Sequence, residues 1–107
     1  MKIAILLAAS LLAVGNAHAA LDNASAEAMM KKDGCAACHS IDKKVIGPSY
    51  VEVAAKYKGD KDALAKLSEK VKKGGVGAWG QIPMPPNLTV SDADIKDLVT
   101  WILTLKK

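Results

Sequence analysis

The chain has 107 residues, with 15 basic and 11 acidic side chains and a formal net charge of +4 at pH 7. It contains no Phe and only two Trp and two Tyr, which excludes a core built mainly from aromatic side chains. Domains of this size bury little surface and often depend on a disulfide, a metal or another non-peptide element. A large apolar cofactor would compensate for the missing large side chains.

The N-terminal segment has the layout of a secretory signal peptide. Met1 and Lys2 precede an apolar run over residues 3–14, and a stretch of small residues follows at 17–20. The run is shorter than a membrane-spanning helix requires, so the sequence predicts export without a membrane anchor. A buried N-terminal helix is the alternative interpretation.

Cleavage after Ala19 fits the small-residue pattern best, and cleavage one residue later is also possible. The predicted domains are therefore a cleaved signal peptide at 1–19 and a single domain at 20–107, located in the periplasm. Processing would leave 88 residues with a formal charge of +3. It would also remove His18, so that His39 is the only histidine of the mature chain.

The remaining sequence predicts helices joined by loops, with no convincing alternating strand, and hence an all-α fold. Residues 74–90 hold four Gly and three Pro without a helical period, which indicates a fixed, irregular loop of the kind that often carries functional groups. The predicted helices cover residues 24–33, 50–58, 61–73 and 91–106.

Capping residues define the ends of these helices. Gly34 tolerates the left-handed backbone angles that end the first helix. Ser49 and Glu52 have the spacing of a capping box at the start of the second helix. Asp60 is the predicted N-cap of the third helix, and Ser91 begins the fourth.

The sequence Cys35-Ala36-Ala37-Cys38-His39 matches the C-x-x-C-H pattern of covalent haem attachment. Two intervening residues place both sulfurs on one side of a single helical turn, where each can form a thioether with a vinyl group of the porphyrin. The histidine that follows can then present a ring nitrogen to the iron. The motif therefore predicts one covalently bound haem c.

Three other roles for the motif fit less well. A thioredoxin-like redox pair requires a βαβ context and a low-pKa thiol, and no strands are predicted. A structural zinc site requires four ligands, whereas the mature chain offers two Cys and one His. A structural disulfide would leave His39 without a role.

The second axial position on the iron has Met, Lys or an open site as candidates, because His39 has no second histidine to pair with. Met29 and Met30 lie on the first predicted helix and are more simply explained as packing residues. Met84 lies instead between prolines in the 74–90 loop, where the backbone is stiff. This placement favours Met84 as the ligand.

Taken together, the motif near the mature N-terminus, Gly47-Pro48 soon after it, the stretch 80–87 and a Trp-bearing final helix resemble bacterial class I cytochromes c of the c-551/c-552 group. The similarity covers essentially all of residues 21–107. It implies a small class I cytochrome c fold, with about four helices wrapped around one low-spin haem. It also implies thioether links at Cys35 and Cys38 and axial iron ligands at His39 and Met84.

The resemblance implies finer contacts as well. The Pro48 carbonyl would accept a hydrogen bond from His39 and orient its ring. The Trp79 indole N–H would donate to a haem propionate, with a core tryptophan as the alternative. The Asn87 amide would touch the Met84 sulfur, with a simple turn residue as the alternative.

Two further residues complete the prediction. Where some relatives carry an Arg near the propionates, this chain has Lys70, whose point charge cannot make the same forked contact. Trp101 is predicted to pack in the core against the first helix.

These observations predict a periplasmic, monomeric electron carrier of the respiratory chain and not an enzyme. Its partners would be a cytochrome bc1 complex or another quinol-linked donor, and a terminal oxidase, nitrite reductase or peroxidase as acceptor. No interaction with nucleic acid is expected. The rival hypothesis is a haem enzyme or gas-binding protein with an open iron site. A positive rim around the exposed haem edge is expected from Lys31, Lys32, Lys43, Lys44, Lys72 and Lys73.

Overall fold

The computed structural model describes residues 21–106, and the predicted signal peptide lies outside them. This part of the chain forms four α-helices and a short 3-10 helix, without a β-strand, so the all-α prediction is confirmed. None of its helices is long and apolar enough to cross a membrane. The elements in chain order are α1 (Asn23–Lys32), the 3-10 helix (Cys35–Ala37), α2 (Tyr50–Lys56), α3 (Ala63–Lys73) and α4 (Asp92–Ile102).

The capping predictions for α2 and α4 are confirmed by side-chain hydrogen bonds. Ser49 Oγ accepts from the Glu52 N–H at 3.2 Å, and Ser91 Oγ accepts from the Asp94 N–H at 3.1 Å. Each serine satisfies one of the N–H groups that a helix start leaves without an intrahelical partner.

The predicted N-cap of the third helix is wrong. Asp62 occupies the N-cap position of α3, and the helix begins at Ala63. The Asp60 carboxylate accepts a hydrogen bond from the Asp62 N–H at 2.8 Å and pairs with Lys66 at 2.8 Å. Asp60 therefore closes the turn before the helix, because an aspartate side chain readily bonds the backbone two residues ahead.

Helix α4 ends earlier than its apolar pattern predicts. The Thr104 N–H donates to the Trp101 carbonyl at 3.0 Å, and the Thr104 hydroxyl donates to the same oxygen at 2.6 Å. Both hydrogen bonds join residues three positions apart, whereas those of an α-helix join residues four apart. They therefore tighten the last turn and end the α-helical hydrogen-bonding pattern. The apolar residue Leu105 still packs against the core, although it lies beyond the helix.

The core is organised around α4, which contacts the other three α-helices. Trp101 is buried, and its indole N–H donates to Asn23 Oδ1 of α1 at 3.1 Å, as expected for a residue packed against the first helix. Met30 on α1 is buried in the same core. The buried face of α4 consists of Ile95, Leu98, Val99, Trp101 and Ile102.

Candidate cofactor site

A cavity of about 590 Å³ brings together most of the residues that the sequence singles out. Its walls come from the Cys motif, from residues 44–48, from the inner faces of α2, α3 and α4, and from the loop after α3. Seven of the eight predicted site residues line it, namely Cys35, Cys38, His39, Pro48, Lys70, Trp79 and Met84. Asn87 is not part of this lining.

The Cys motif follows directly from the end of α1. Gly34 has φ of +80° and turns the chain into the 3-10 helix that begins at Cys35. The sulfurs of Cys35 and Cys38 are half-buried, and no disulfide joins them. Burial raises the pKa of the Cys35 thiol, partly opposed by a hydrogen bond with the Tyr50 hydroxyl. A raised pKa is the opposite of what a thiol redox centre requires, which argues against the thioredoxin-like alternative.

The His39 ring is oriented by its neighbours. Its Nδ1 lies 2.8 Å from the Pro48 carbonyl oxygen. Because a carbonyl can only accept, Nδ1 carries the proton in this contact and Nε2 is left free to bind a metal. The ring also stacks on Tyr50, with centroids 5.0 Å apart and planes inclined by 23°. Tyr50 in turn meets Trp101 edge-on at 6.1 Å.

Gly47 allows the His39 ring to sit where it does. A Cβ atom at this position would lie 2.6 Å from His39 Cε1 and 3.0 Å from Nδ1. The distance of 2.6 Å is too short for a real Cβ atom, so the ring occupies space that glycine leaves open. The sequence pattern identified Gly47 through its neighbour Pro48, but it contained no sign of this close approach.

Met84 is half-buried and fixed through its backbone. Its N–H donates to the Gly75 carbonyl at 2.8 Å, and its own carbonyl accepts from the Gly75 N–H at 3.0 Å. These two hydrogen bonds form an isolated antiparallel bridge between the end of α3 and the proline-framed segment.

Trp79 is 41% exposed and lies at the edge of the site. The ammonium group of Lys56 stands 4.5 Å from the centre of its ring and donates a hydrogen bond to the Ala78 carbonyl at 2.8 Å. The two contacts tie the loop to α2. No feature of the sequence pointed to Lys56, because it is one of many lysines on helix surfaces.

Lys70 lies in the last turn of α3, and Asn87 contacts the same turn from the loop that follows. A Cβ atom on Gly75 would come within 3.2 Å of three atoms of Lys70, so this glycine leaves room for the lysine beside the cavity. The Asn87 amide donates to the Val71 carbonyl at 2.9 Å, and Pro85 O lies 3.5 Å from the same nitrogen. The expected contact between Asn87 and the Met84 sulfur stays a prediction.

The cavity fits a haem group by its chemistry. Two thiols, one imidazole with a free nitrogen and one thioether converge on an otherwise mostly apolar space. Thioether links require the two thiols, and low-spin iron accepts imidazole and thioether ligands. Within residues 21–106, no group of three or more His, Cys, Asp and Glu side chains is placed so that it could hold a bare metal ion.

Comparison with known proteins agrees with this chemistry. The cytochrome c family model matches residues 23–106. The chain belongs to the cytochrome c family. Cytochrome c-552 of Nitrosomonas europaea is 52% identical over 99 residues, which cover 92% of this chain and 90% of the relative. Cytochrome c-551 of Allochromatium vinosum is 57% identical over 77 residues, which cover 72% of this chain and 82% of that protein.

Solved structures of cytochromes c share the fold. The crystal structure of wild-type Nitrosomonas europaea cytochrome c552 matches with a TM-score of 0.72 and 54% identity, covering 75% of this chain and 99% of that one. The class 1 cytochrome MtoD of Sideroxydans lithotrophicus matches with a TM-score of 0.65 and 36% identity, covering 79% and 97%. The predicted class I cytochrome c fold and the resemblance to the c-551/c-552 group are thus confirmed.

Family membership also assigns the cofactor. Cytochromes c attach haem through the two cysteines of a C-x-x-C-H motif, and Cys35 and Cys38 supply this pair at the cavity wall. The chain therefore carries one covalently bound haem c, and its relatives support a role as a haem electron carrier.

Proposed function

We propose that the chain is a periplasmic electron-transfer protein whose single haem has His39 and Met84 as axial ligands. When bound, haem supplies an iron centre that cycles between Fe(II) and Fe(III) and so accepts and releases one electron. The observation that carries the proposal is the convergence of His39 and Met84 on one cavity with the two attachment cysteines.

Each residue contributes a distinct function in this proposal. Cys35 and Cys38 hold the haem covalently, so that it is not lost during repeated encounters with partners. The Pro48 carbonyl keeps the Nδ1 proton in place, which leaves Nε2 of His39 as the nitrogen that binds iron. The bridge to Gly75 restricts the backbone from which the Met84 side chain projects.

Residues at the edge of the cavity would bind the haem propionates. Lys70 lines the cavity and offers a positive charge, and Trp79 offers an indole N–H from the loop that Lys56 ties down. Both residues are donors only, as contacts with carboxylates require. The propionate contacts of Lys70 and Trp79 remain part of the proposal.

Occupation of both axial positions would close the iron to small substrates, so the chain would act as a carrier and not as an enzyme. The rival function, a haem enzyme or gas-binding protein, requires an open iron site. Ligation of the iron by the Met84 thioether would also raise its reduction potential, which suits a carrier that receives electrons from quinol-linked donors.

Carbon monoxide binding to the haem-loaded ferrous protein distinguishes the two functions. A closed His/Met site predicts little or no binding at neutral pH. The control is Met84→Ala, which removes the proposed ligand and is expected to bind carbon monoxide readily. Ready binding by the unaltered protein would contradict the carrier proposal and favour the open-site function.

Export, the partners and the oligomeric state complete the proposal. The predicted signal peptide at 1–19 would deliver a monomeric domain of residues 20–107 to the periplasm. There it would connect a cytochrome bc1 complex or another quinol-linked donor with a terminal oxidase, nitrite reductase or peroxidase. Mass measurement of the protein purified from a periplasmic extract tests the cleavage site directly.

A further inference from the structure

The end of α3 and the glycines that follow it contact the segment that carries Met84. The bridge between Gly75 and Met84 joins them at one point. Directly after the prolines, the Asn87 N–H contacts the carbonyls of Val71 and Lys72 at 3.2 and 3.1 Å, and its side-chain amide donates to the Val71 carbonyl. Asn87 thus satisfies carbonyl groups that the end of a helix otherwise leaves unpaired.

Gly74 lies at the centre of this contact. Its N–H donates to the Lys70 carbonyl at 2.8 Å, and its backbone angles, φ of 73° and ψ of −173°, belong to a region that essentially only glycine adopts. A Cβ atom here would meet the Met84 carbonyl oxygen at 2.4 Å and two further backbone atoms, of Pro85 and Pro86, at 2.9 Å.

The atoms that a Cβ would meet are all backbone, and two of them belong to prolines. A flexible side chain could rotate away from such a contact, but a proline-restricted backbone cannot. Any side chain at position 74 would therefore have to displace the segment itself. The displacement would act first on Met84, because its carbonyl oxygen makes the shortest contact.

The geometry points to Gly74 as a positioning residue for the axial methionine: its missing side chain lets the Met84 backbone lie directly against the end of α3. This inference rests on the proposed role of Met84. Gly74 is not part of the cavity lining, and it acts only by fixing where the Met84 side chain starts.

The test compares Gly74→Ala with Gly59→Ala. Gly59 lies in the turn between α2 and α3, outside the cavity lining, also has a positive φ of +80°, and has nothing within 4 Å of a Cβ atom. Both substitutions introduce backbone strain, but only Gly74→Ala pushes against Met84. We expect Gly74→Ala to lose most of the weak sulfur-to-iron charge-transfer band of the ferric protein, and Gly59→Ala to retain it. Equal bands in the two variants would overturn the inference.

Amide hydrogen exchange in the unaltered holoprotein provides a second test, which does not require the variant to fold. The Gly75 and Met84 amides, both bonded in the bridge, should exchange about tenfold or more slowly than the unbonded amides of the same loop. Rapid exchange at both would overturn the inference. If the unaltered protein shows this protection but lacks the charge-transfer band, the proposed ligation fails while the backbone contact stands.

Discussion

His39 illustrates how much of the site depends on single atoms. One carbonyl oxygen of Pro48 fixes which ring nitrogen carries the proton, the Tyr50 ring covers one face, and the absent side chain of Gly47 leaves room for the ring edge. Burial raises the pKa of the Tyr50 phenol, so this neighbour stays neutral at physiological pH. The ring therefore has a defined tautomer and orientation.

Replacing Gly47 with Ala should disturb this arrangement. The new Cβ would force the ring to move, at a cost of about 1–3 kcal/mol in the free energy of unfolding, the usual range for overpacking. Weakening the Nδ1 contact with Pro48 lowers the basicity of the ligand, which disfavours Fe(III) and raises the reduction potential. Redox titration and chemical denaturation measure the two effects.

Lys43→Gln is the control for this substitution, because Lys43 lies in the same loop, is exposed and lies outside the cavity lining. We expect it to change the potential and the stability much less than Gly47→Ala. Equal changes in the two variants would mean that the His39 ring tolerates the added methyl group.

At the scale of elements, the sequence predicted the four helices because the last three have apolar residues recurring on one face and the first ends at Gly34. The errors lie at the ends, where local hydrogen bonds decide. Asp60 and Asp62 both suit an N-cap, and only the chain turn between them determines which one occupies it. Thr104 ends the last helix through a hydrogen bond that no periodicity reveals.

The turn before α3 should make stability depend on pH. The pKa of the Asp60 carboxyl is lowered, first by its hydrogen bond with Lys66 and then by the Asp62 N–H. A lowered folded-state pKa stabilises the fold above the unfolded value of about 3.9, and this contribution is lost as the pH falls through the folded pKa. Asp60→Asn should therefore lower the melting temperature at neutral pH.

The same variant provides its own control in acid. Once Asp60 of the parent protein is protonated, its charge no longer distinguishes it from Asn, so the two melting temperatures should converge as the pH falls below the lowered pKa of Asp60. Thermal unfolding followed by circular dichroism measures both. A difference that stays constant across the whole pH range would show that the ion pair with Lys66 does not contribute.

At the scale of the molecule, the site could be predicted where chemistry dictates residue types and spacing. The Cys motif and the proline-framed Met84 stand out in the sequence, and the cavity includes both. The contacts of Gly47, Lys56 and Gly74 could not be predicted, because each depends on segments that meet only after folding. A glycine that makes room for a distant backbone looks like any other glycine in the sequence.

The fold leaves fewer free positive charges near the site than the sequence predicts. Lys32, Lys72 and Lys73 pair with acidic residues at 3.0–3.1 Å, which reduces the positive rim that the sequence suggests. Lys44 and Lys70 line the cavity and keep a positive potential at its edge. Docking to a partner should therefore depend on few charges and be weak.

Electron transfer to an acidic partner should slow as salt is added, because ions screen attraction between exposed charges over about 10 Å at 0.1 M ionic strength. Stopped-flow measurement of the second-order rate at increasing salt concentration tests this. Lys44→Gln should flatten the dependence, whereas Lys73→Gln, which removes a lysine already paired with Glu69, should change it less. A rate that rises with salt would contradict attraction between the lysine edge and the partner.

The ferric absorption spectrum of the haem-loaded protein tests the account most directly. His/Met ligation predicts low-spin bands and a weak sulfur-to-iron charge-transfer band. Met84→Ala should lose this band and shift the potential strongly downward. Met30→Ala should keep the parent spectrum and cost about 2–5 kcal/mol of stability, because Met30 is buried in the core. If Met84→Ala also kept the parent spectrum, Met84 would not be the ligand and the central claim would fail.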